Sequence, residues 1–394
     1  MPKQERILEL DGVRGLAIFM VLLCHYIQIP LLGVSGWWPK YVAKSLSLTW
    51  AGVDLFFVLS GFLIGGILID NKVSPTFFRT FYVRRAMRIL PLYFFVLGLF
   101  VVLRDRIASP HLFDHLIPIW CYVSFTQNVA LIPYPEGTSY FLGATWSLAV
   151  EEQFYLILPV LVWLAPRHAL LPLFTAGIIG AVLLRALLPG HAAFLLMPSR
   201  ADSLLSGAVV ALLVRSEGFM TWLLCHKRVL VSVFAIFLVG AGAMTAKPWS
   251  PWAHSYLWLA FLFASFLIVV LTNAVSWINR LLITGWLRWL GRISYGVYLL
   301  HTPISGILHW CLAGTGLLAF QTTTDMAITA LATVITLALA ALSFRYFEGP
   351  FLRFGHEFKY AVATPGLRAA ETSRSRKLPP ETGFGRSPGS SPPC

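Results

Sequence analysis

From Val13 to Phe344 the chain is a succession of long apolar stretches, each closed by charged residues, prolines or glycines. Apolar and polar residues do not alternate at every second position, as the strands of a membrane barrel require. The stretches are apolar around their whole circumference, over the ~17–25 residues a helix needs to cross a bilayer. Their limits predict ten helices, near residues 13–31, 50–69, 87–103, 146–165 and 169–188, then 202–215, 229–246, 254–273, 291–312 and 325–345. The sixth is the shortest. The expected fold is all-α, a polytopic transmembrane bundle of about ten spanning helices.

Composition agrees: 57% of residues are hydrophobic, 12% are charged and the mean hydropathy is +0.74, whereas soluble domains carry roughly 25% charged residues. A net charge of +13 would suggest nucleic acid in a soluble protein. Here the basic residues sit in short loops between apolar runs, the signature of orientation in a lipid bilayer, so nucleic-acid binding is excluded. With a cytoplasmic N-terminus and ten spans, the outer segments hold only Lys40, Lys44, Arg104, Arg106, Arg185, Arg200 and Lys247 of the 30 Lys and Arg residues. Both ends are therefore expected in the cytoplasm. Lys3 and Arg6 ahead of an apolar run resemble a signal peptide, but Arg14 lies inside that run and no small-residue cleavage site follows, so it reads as a retained span. The expected organisation is a membrane-embedded domain, 1–354, and a polar, disordered tail, 355–394. Segment 104–145, rich in proline and aromatic residues, is too long for a plain connector and is expected to form a lid or re-entrant element. Cys24, Cys121, Cys225, Cys311 and Cys394 show neither metal-like spacing nor a disulfide framework, and no internal repeat is evident.

Ionisable groups at membrane depth cost roughly 2.5–3.5 kcal/mol on insertion, so each is a candidate for function. Arg14 and His25 lie eleven residues apart in the first helix; at ~100° per residue they return to within about 20° of one face. The second helix opens with Asp54 and continues through Ser60. In the fourth, Ser147, Glu151 and Tyr155 share a face at i, i+4, i+8, which favours Glu151 over Glu152. The ninth aligns Tyr295, Tyr298 and His301. Arg84, Arg85 and Arg88 cluster at the cytoplasmic start of the third, where guanidiniums suit a phosphate-rich ligand. Plainer roles stand beside these: Asp54 and Glu151 as partners of arginines, His301 as a helix-to-helix hydrogen-bonding group, the arginine cluster as a topogenic signal. His111, Asp114 and His115 have spacing compatible with a metal, but in a wet aromatic loop they read as surface groups, and no metal site is expected.

Taken in order, these residues resemble the acyltransferase 3 family of integral-membrane acyltransferases over nearly all of residues 8–354. The resemblance rests on Leu10-Asp11-Gly12-Val13-Arg14-Gly15 followed by His25, on Asp54 through Ile64, and on Arg84-Arg85-x-x-Arg88. It continues through Trp146-Ser147-Leu148 with Glu151 and Tyr155, Arg200-x-Asp202-x-Leu204 with Gly207, Gly291-x-x-Ser294-Tyr295 through His301, and Arg345 with Glu348 and Pro350. It implies transfer of an acyl group, commonly acetyl from acetyl-CoA, to a hydroxyl of a sugar or related acceptor, often a cell-surface polysaccharide. It also implies functional roles for Arg14, His25, Arg84, Arg85 and Arg88. Some relatives carry a fused esterase-like domain; this sequence continues into a polar tail, so the chemistry is expected within the bundle or with a separate partner.

Acyl-CoA is thus the expected co-substrate, with no permanently bound cofactor, and a carbohydrate or glycosylated molecule the expected acceptor, at a bacterial inner membrane. A sugar hydroxyl needs a base near neutral pH, and imidazole is the side chain closest to that value. His25 would take the hydroxyl proton or carry the acyl group, with Asp54 or Glu151 holding its other ring nitrogen. Arg84, Arg85 and Arg88 would bind the donor. Ser60, Tyr155, Arg200, Asp202, Tyr298 and His301 are the candidate acceptor contacts. The alternative is a transporter or proton relay using the same buried groups.

Overall fold

The computed structural model describes residues 7–107, 109–113, 117–134, 139–245, 253–315 and 320–361. All ten apolar stretches are helical, and no strand occurs among the described residues. We number the principal helices α1 (Leu8–Leu32), α2 (Gly52–Asn71), α3 (Phe77–Arg104), α4 (Thr145–Leu164), α5 (Leu170–Leu187), α6 (Met197–Leu213), α7 (Lys227–Thr245), α8 (Ala253–Leu271), α9 (Gly285–Ala313), α10 (Thr323–Leu342) and α11 (Gly349–Glu357). Among the described residues eight stretches are long and apolar enough to span a bilayer, and a ninth is α8 with Ser276–Leu282, bent by 93°. The protein is a multi-pass membrane bundle. Helix α9 is not among these spans; it carries Arg288, Arg292, His301 and His309, and it packs against α1 and α10.

Backbones approach closely where small residues face one another, which is how helices associate without a hydrophobic driving force. Helices α2 and α6 form one such pair: a Cβ on Gly61 would lie 1.8 Å from the Leu204 carbonyl, and one on Gly207 1.9 Å from the Val58 carbonyl. The α1–α9 pair is built likewise, with Gly15 against Leu287 and Gly291 against Asp11. At one end of the bundle Lys72, after α2, donates to Ala165 after α4, and Arg215, after α6, pairs with Asp70 at 2.7 Å. The start of α3 belongs to the same end, which is the basic end.

Segment 104–145 packs back onto the bundle at the opposite end. Phe113 and Phe141 pack their rings, tilted, against Phe100; Leu112 and Tyr140 press against Gly306, and Gln127 donates to the Tyr93 hydroxyl (3.3 Å) and the Thr145 carbonyl (3.0 Å). His111 is exposed; Asp114 and His115, with residues 108, 116 and 135–138, lie outside the described residues. Residues 355–361 fall within the expected polar tail, yet they pack against the first turns of α3; Cys394 and the remainder, 362–394, lie outside the described residues.

Candidate active site

Two cavities share the arginine cluster. The inner one, about 540 Å³ counting its open mouth, is lined by Arg14 of α1, Phe56, Leu59, Ser60 and Leu63 of α2, Arg85, Arg88 and Ile89 of α3, Leu148, Glu151 and Tyr155 of α4, and Tyr295 of α9. The outer one, about 570 Å³, is lined by Ile67, Phe81, Arg84, Arg85, Arg88, Leu352, Gly355, His356 and Tyr360. Among the described residues no carboxylate forms an ion pair with Arg84, Arg85 or Arg88, so their guanidiniums remain available to an anion. Tyr155 donates to Glu151 at 3.2 Å and shares a short hydrogen bond with Ser60, while Arg85 lies 5.9 Å from the Tyr155 ring centre. The i, i+4, i+8 face of α4 is as its spacing predicts. Glu151 and Tyr155 enter the cavity, and Ser147, one turn earlier, meets Tyr298 at 2.5 Å.

Phe56 lines the inner cavity, and Tyr298 packs against it. Their rings meet edge to face at 6.3 Å, and the Tyr298 hydroxyl donates to the Ala144 carbonyl at 2.8 Å, tying α9 to the start of α4. Behind Tyr298 stand two histidines, His25 and His301, with ring centres 5.0 Å apart. His25 lies in a π-turn, Cys24–Gln28, which interrupts the regular 100° register assumed from sequence; such turns recur at functional sites. Its Nδ1 faces the Val21 carbonyl at 3.0 Å, and that of His301 faces the Tyr298 carbonyl at 2.7 Å. A carbonyl can only accept, so each Nδ1 carries the proton and each Nε2 presents a lone pair. The His301 Nε2 is buried without a partner, and Tyr26 fixes that backbone by donating to the His301 carbonyl at 2.7 Å, with Thr336 at 3.0 Å.

The expectation that Asp54 or Glu151 holds the His25 ring is corrected: that nitrogen is held by its own helix backbone, Glu151 belongs to the arginine cavity, and Asp54 is engaged elsewhere. Asp54, fully buried, pairs with Arg200 at 2.7 Å and accepts from Ser203 at 3.0 Å. Arg200 and Asp202, both candidate acceptor contacts, are each engaged with another charged residue. Asp202 pairs with Arg185 at 2.6 Å, and the Arg200 guanidinium lies 4.0 Å from the Tyr256 ring centre. All four charged residues are buried and join α2, α5 and α6, with Tyr256 adding α8. Arg185 and Arg200, counted above as outer-loop charges, are interior. Among the described residues no group of three or more His, Cys, Asp or Glu side chains is placed to hold a metal.

Residues 7–345 match the family model described as an acyltransferase domain. The chain belongs to the acyltransferase 3 family. This acyltransferase 3 domain is 28% identical over 383 residues to the peptidoglycan O-acetyltransferase OatA of Listeria monocytogenes, covering 88% of this chain and 56% of that protein. It is 28% identical over 371 residues to the putative peptidoglycan O-acetyltransferase YrhL of Bacillus subtilis, covering 86% and 54%. The O-acetyltransferase OatA of Staphylococcus aureus matches at 25% over 373 residues, 88% and 57%. The chain thus spans a little over half the length of these curated relatives. No solved structure matches it. Two features of the acyltransferase 3 site escaped sequence reasoning. Tyr26 is an aromatic residue in an apolar run, and Tyr360 lies past the last apolar stretch; neither carries a periodic signal.

Proposed function

We propose that this protein is a bacterial plasma-membrane acyltransferase that moves an acyl group, acetyl in the simplest case, from cytoplasmic acyl-CoA to a hydroxyl of a cell-surface carbohydrate. Peptidoglycan is the acceptor named for its relatives. The observation that carries this reading is the line of groups from the unpaired arginines, through the Arg14–Glu151–Tyr155 cavity, to two histidines with bare Nε2 atoms. In this reading the basic end faces the cytoplasm, as the distribution of Lys and Arg favours. Arg84, Arg85 and Arg88 hold the donor phosphates, and the thioester passes the Phe56–Tyr298 layer. His25 Nε2 takes the acceptor hydroxyl proton as the oxygen attacks the thioester carbon; the C–S bond breaks and the thiolate leaves, recovering the proton. Arg14, Ser60, Glu151 and Tyr155 line the passage. Tyr298 and His301 border the reaction chamber, with the His301 lone pair facing the acceptor. Asp54, Arg200 and Asp202 are assigned to holding the helices. The transporter reading draws on the same buried groups but has no support in the family.

The test uses sealed, oriented proteoliposomes with radiolabelled acetyl-CoA on the basic side and a membrane-impermeant glycan on the other. Wild type is expected to acetylate the glycan, and His25→Ala to lose ~10²- to 10⁴-fold in rate at normal expression, the usual cost of removing a general base. Wild-type turnover by the variant would overturn the mechanism. Label bound to His25 without acceptor would make the route covalent.

A further inference from the structure

The outer cavity has a wall the family match does not reach. The family model matches through residue 345, and Leu352, Gly355, His356 and Tyr360, which follow it, complete the cavity that Arg84, Arg85 and Arg88 open. Residues 358–361 are bound down along the first turns of α3. Arg84 Nε donates to the Phe358 carbonyl at 2.8 Å, and the hydroxyls of Thr76 and Thr80 each donate to the Lys359 carbonyl at 3.1 Å. Ser74 donates to the Ala361 carbonyl at 2.9 Å, and the Ala361 N–H donates to Thr76 at 2.9 Å. Arg79 lies over the Phe358 ring at 5.3 Å. Gly355 lets α11 approach closely, since a Cβ there would lie 3.2 Å from that of Met87.

This strap presents one aromatic side chain to the cavity in an incompletely satisfied state. Tyr360 sits 5.5 Å from the Arg84 guanidinium, and its hydroxyl is turned out of water with no hydrogen-bond partner. A buried hydroxyl without a partner is costly, so one that persists beside three guanidiniums that have no carboxylate partner among the described residues marks where a ligand supplies an acceptor. Burial raises the Tyr360 pKa above the usual phenol value, against the lowering pull of Arg84 and Arg85, so the hydroxyl keeps its proton to donate. Three cations, a protonated phenol and a ring suit a molecule that combines several phosphate groups with a flat heterocycle.

We propose that the Phe358–Ala361 strap, through Tyr360, forms the nucleotide subsite of the donor, holding the adenosine bisphosphate portion of acyl-CoA while the pantetheine arm runs past Arg85 and Arg88 into the inner cavity. The proposal rests on the acyl-CoA reading above and adds to it a determinant outside the family domain. Tyr360 touches the nucleotide and not the reacting atoms, so it governs donor affinity and leaves the chemical step alone.

The experiment measures binding of adenosine 3′,5′-bisphosphate and of CoA to the purified full chain, together with turnover of acetyl-CoA and of acetyl-pantetheine, which lacks the nucleotide. Tyr360→Ala is expected to weaken both nucleotide-containing ligands by about 5- to 100-fold, the range seen when a base loses its aromatic partner. It should raise the Michaelis constant for acetyl-CoA equally and leave acetyl-pantetheine kinetics unchanged. Tyr360→Phe, which keeps the ring, should lose only about 2- to 10-fold. Wild-type nucleotide affinity in Tyr360→Ala would overturn the subsite while leaving the acyl-CoA reading intact, and so would an equal loss with both donors. Failure of the wild-type protein to bind or use acetyl-CoA at all would remove the donor reading and the subsite with it.

Discussion

Replacing Arg200 by Met tests whether the buried charges of the α2–α6 interface bind substrate or hold the bundle. The side chain is 1% exposed, with Nη2 2.7 Å from Asp54 and the guanidinium 4.0 Å from the Tyr256 ring centre. Its loss leaves Asp54 as a buried carboxylate whose remaining hydrogen-bond partner is Ser203 at 3.0 Å. Removing one partner of a buried pair costs about 3–5 kcal/mol, largely because the other charge is stranded. Asp54→Asn alone strands Arg200 and is expected to cost a similar amount. The double variant removes both charges together, so its cost should fall below the sum of the two by at least about 1.5 kcal/mol. The assay is unfolding of the purified protein in mixed micelles with increasing SDS, read as a double-mutant cycle, with donor and acceptor Michaelis constants taken on whatever remains folded. Wild-type unfolding free energies in the single variants, accompanied by a raised acceptor Michaelis constant, would refute the structural assignment and return Asp54 and Arg200 to the substrate.

Arg88→Gln removes a guanidinium shared by both cavities. Losing one charge-assisted phosphate contact of ~1.5–3 kcal/mol should raise the Michaelis constant for acetyl-CoA about 10- to 150-fold with stability unchanged. Unaltered donor kinetics would leave the cluster a topogenic signal only. Gly207→Ala forces a Cβ to within 1.9 Å of the Val58 carbonyl, so α2 and α6 must part. A loss of about 1–3 kcal/mol is expected in the same SDS titration. Gly98→Ala, which meets nothing within 4 Å, should be neutral, and equal effects at the two positions would contradict the close packing.

The apolar runs determined by themselves that the chain is a helical membrane bundle and where ten of its helices lie, because in hydrocarbon every backbone group must be satisfied within its own segment. Lipid exposure writes that requirement as local composition. Local spacing likewise placed Glu151 and Tyr155 on one face of α4 and gathered Arg84, Arg85 and Arg88 in two turns of α3. Tertiary structure decided which charges meet. Asp54 finds Arg200 across 146 positions and His25 finds His301 across more than 270, separations that no periodicity records. An isolated Asp54 reads equally well as a partner for histidine or for arginine; only the close α2–α6 approach allowed by Gly61 and Gly207 brings the arginine to it. His25 lies in the π-turn that begins at Cys24, and its ring is fixed by the Val21 carbonyl instead of a distant carboxylate. The strap at 358–361 lay in polar sequence with no apolar pattern to mark it, since it is held by side-chain hydrogen bonds to its carbonyls and by cations over its rings, neither of which leaves a hydrophobic trace.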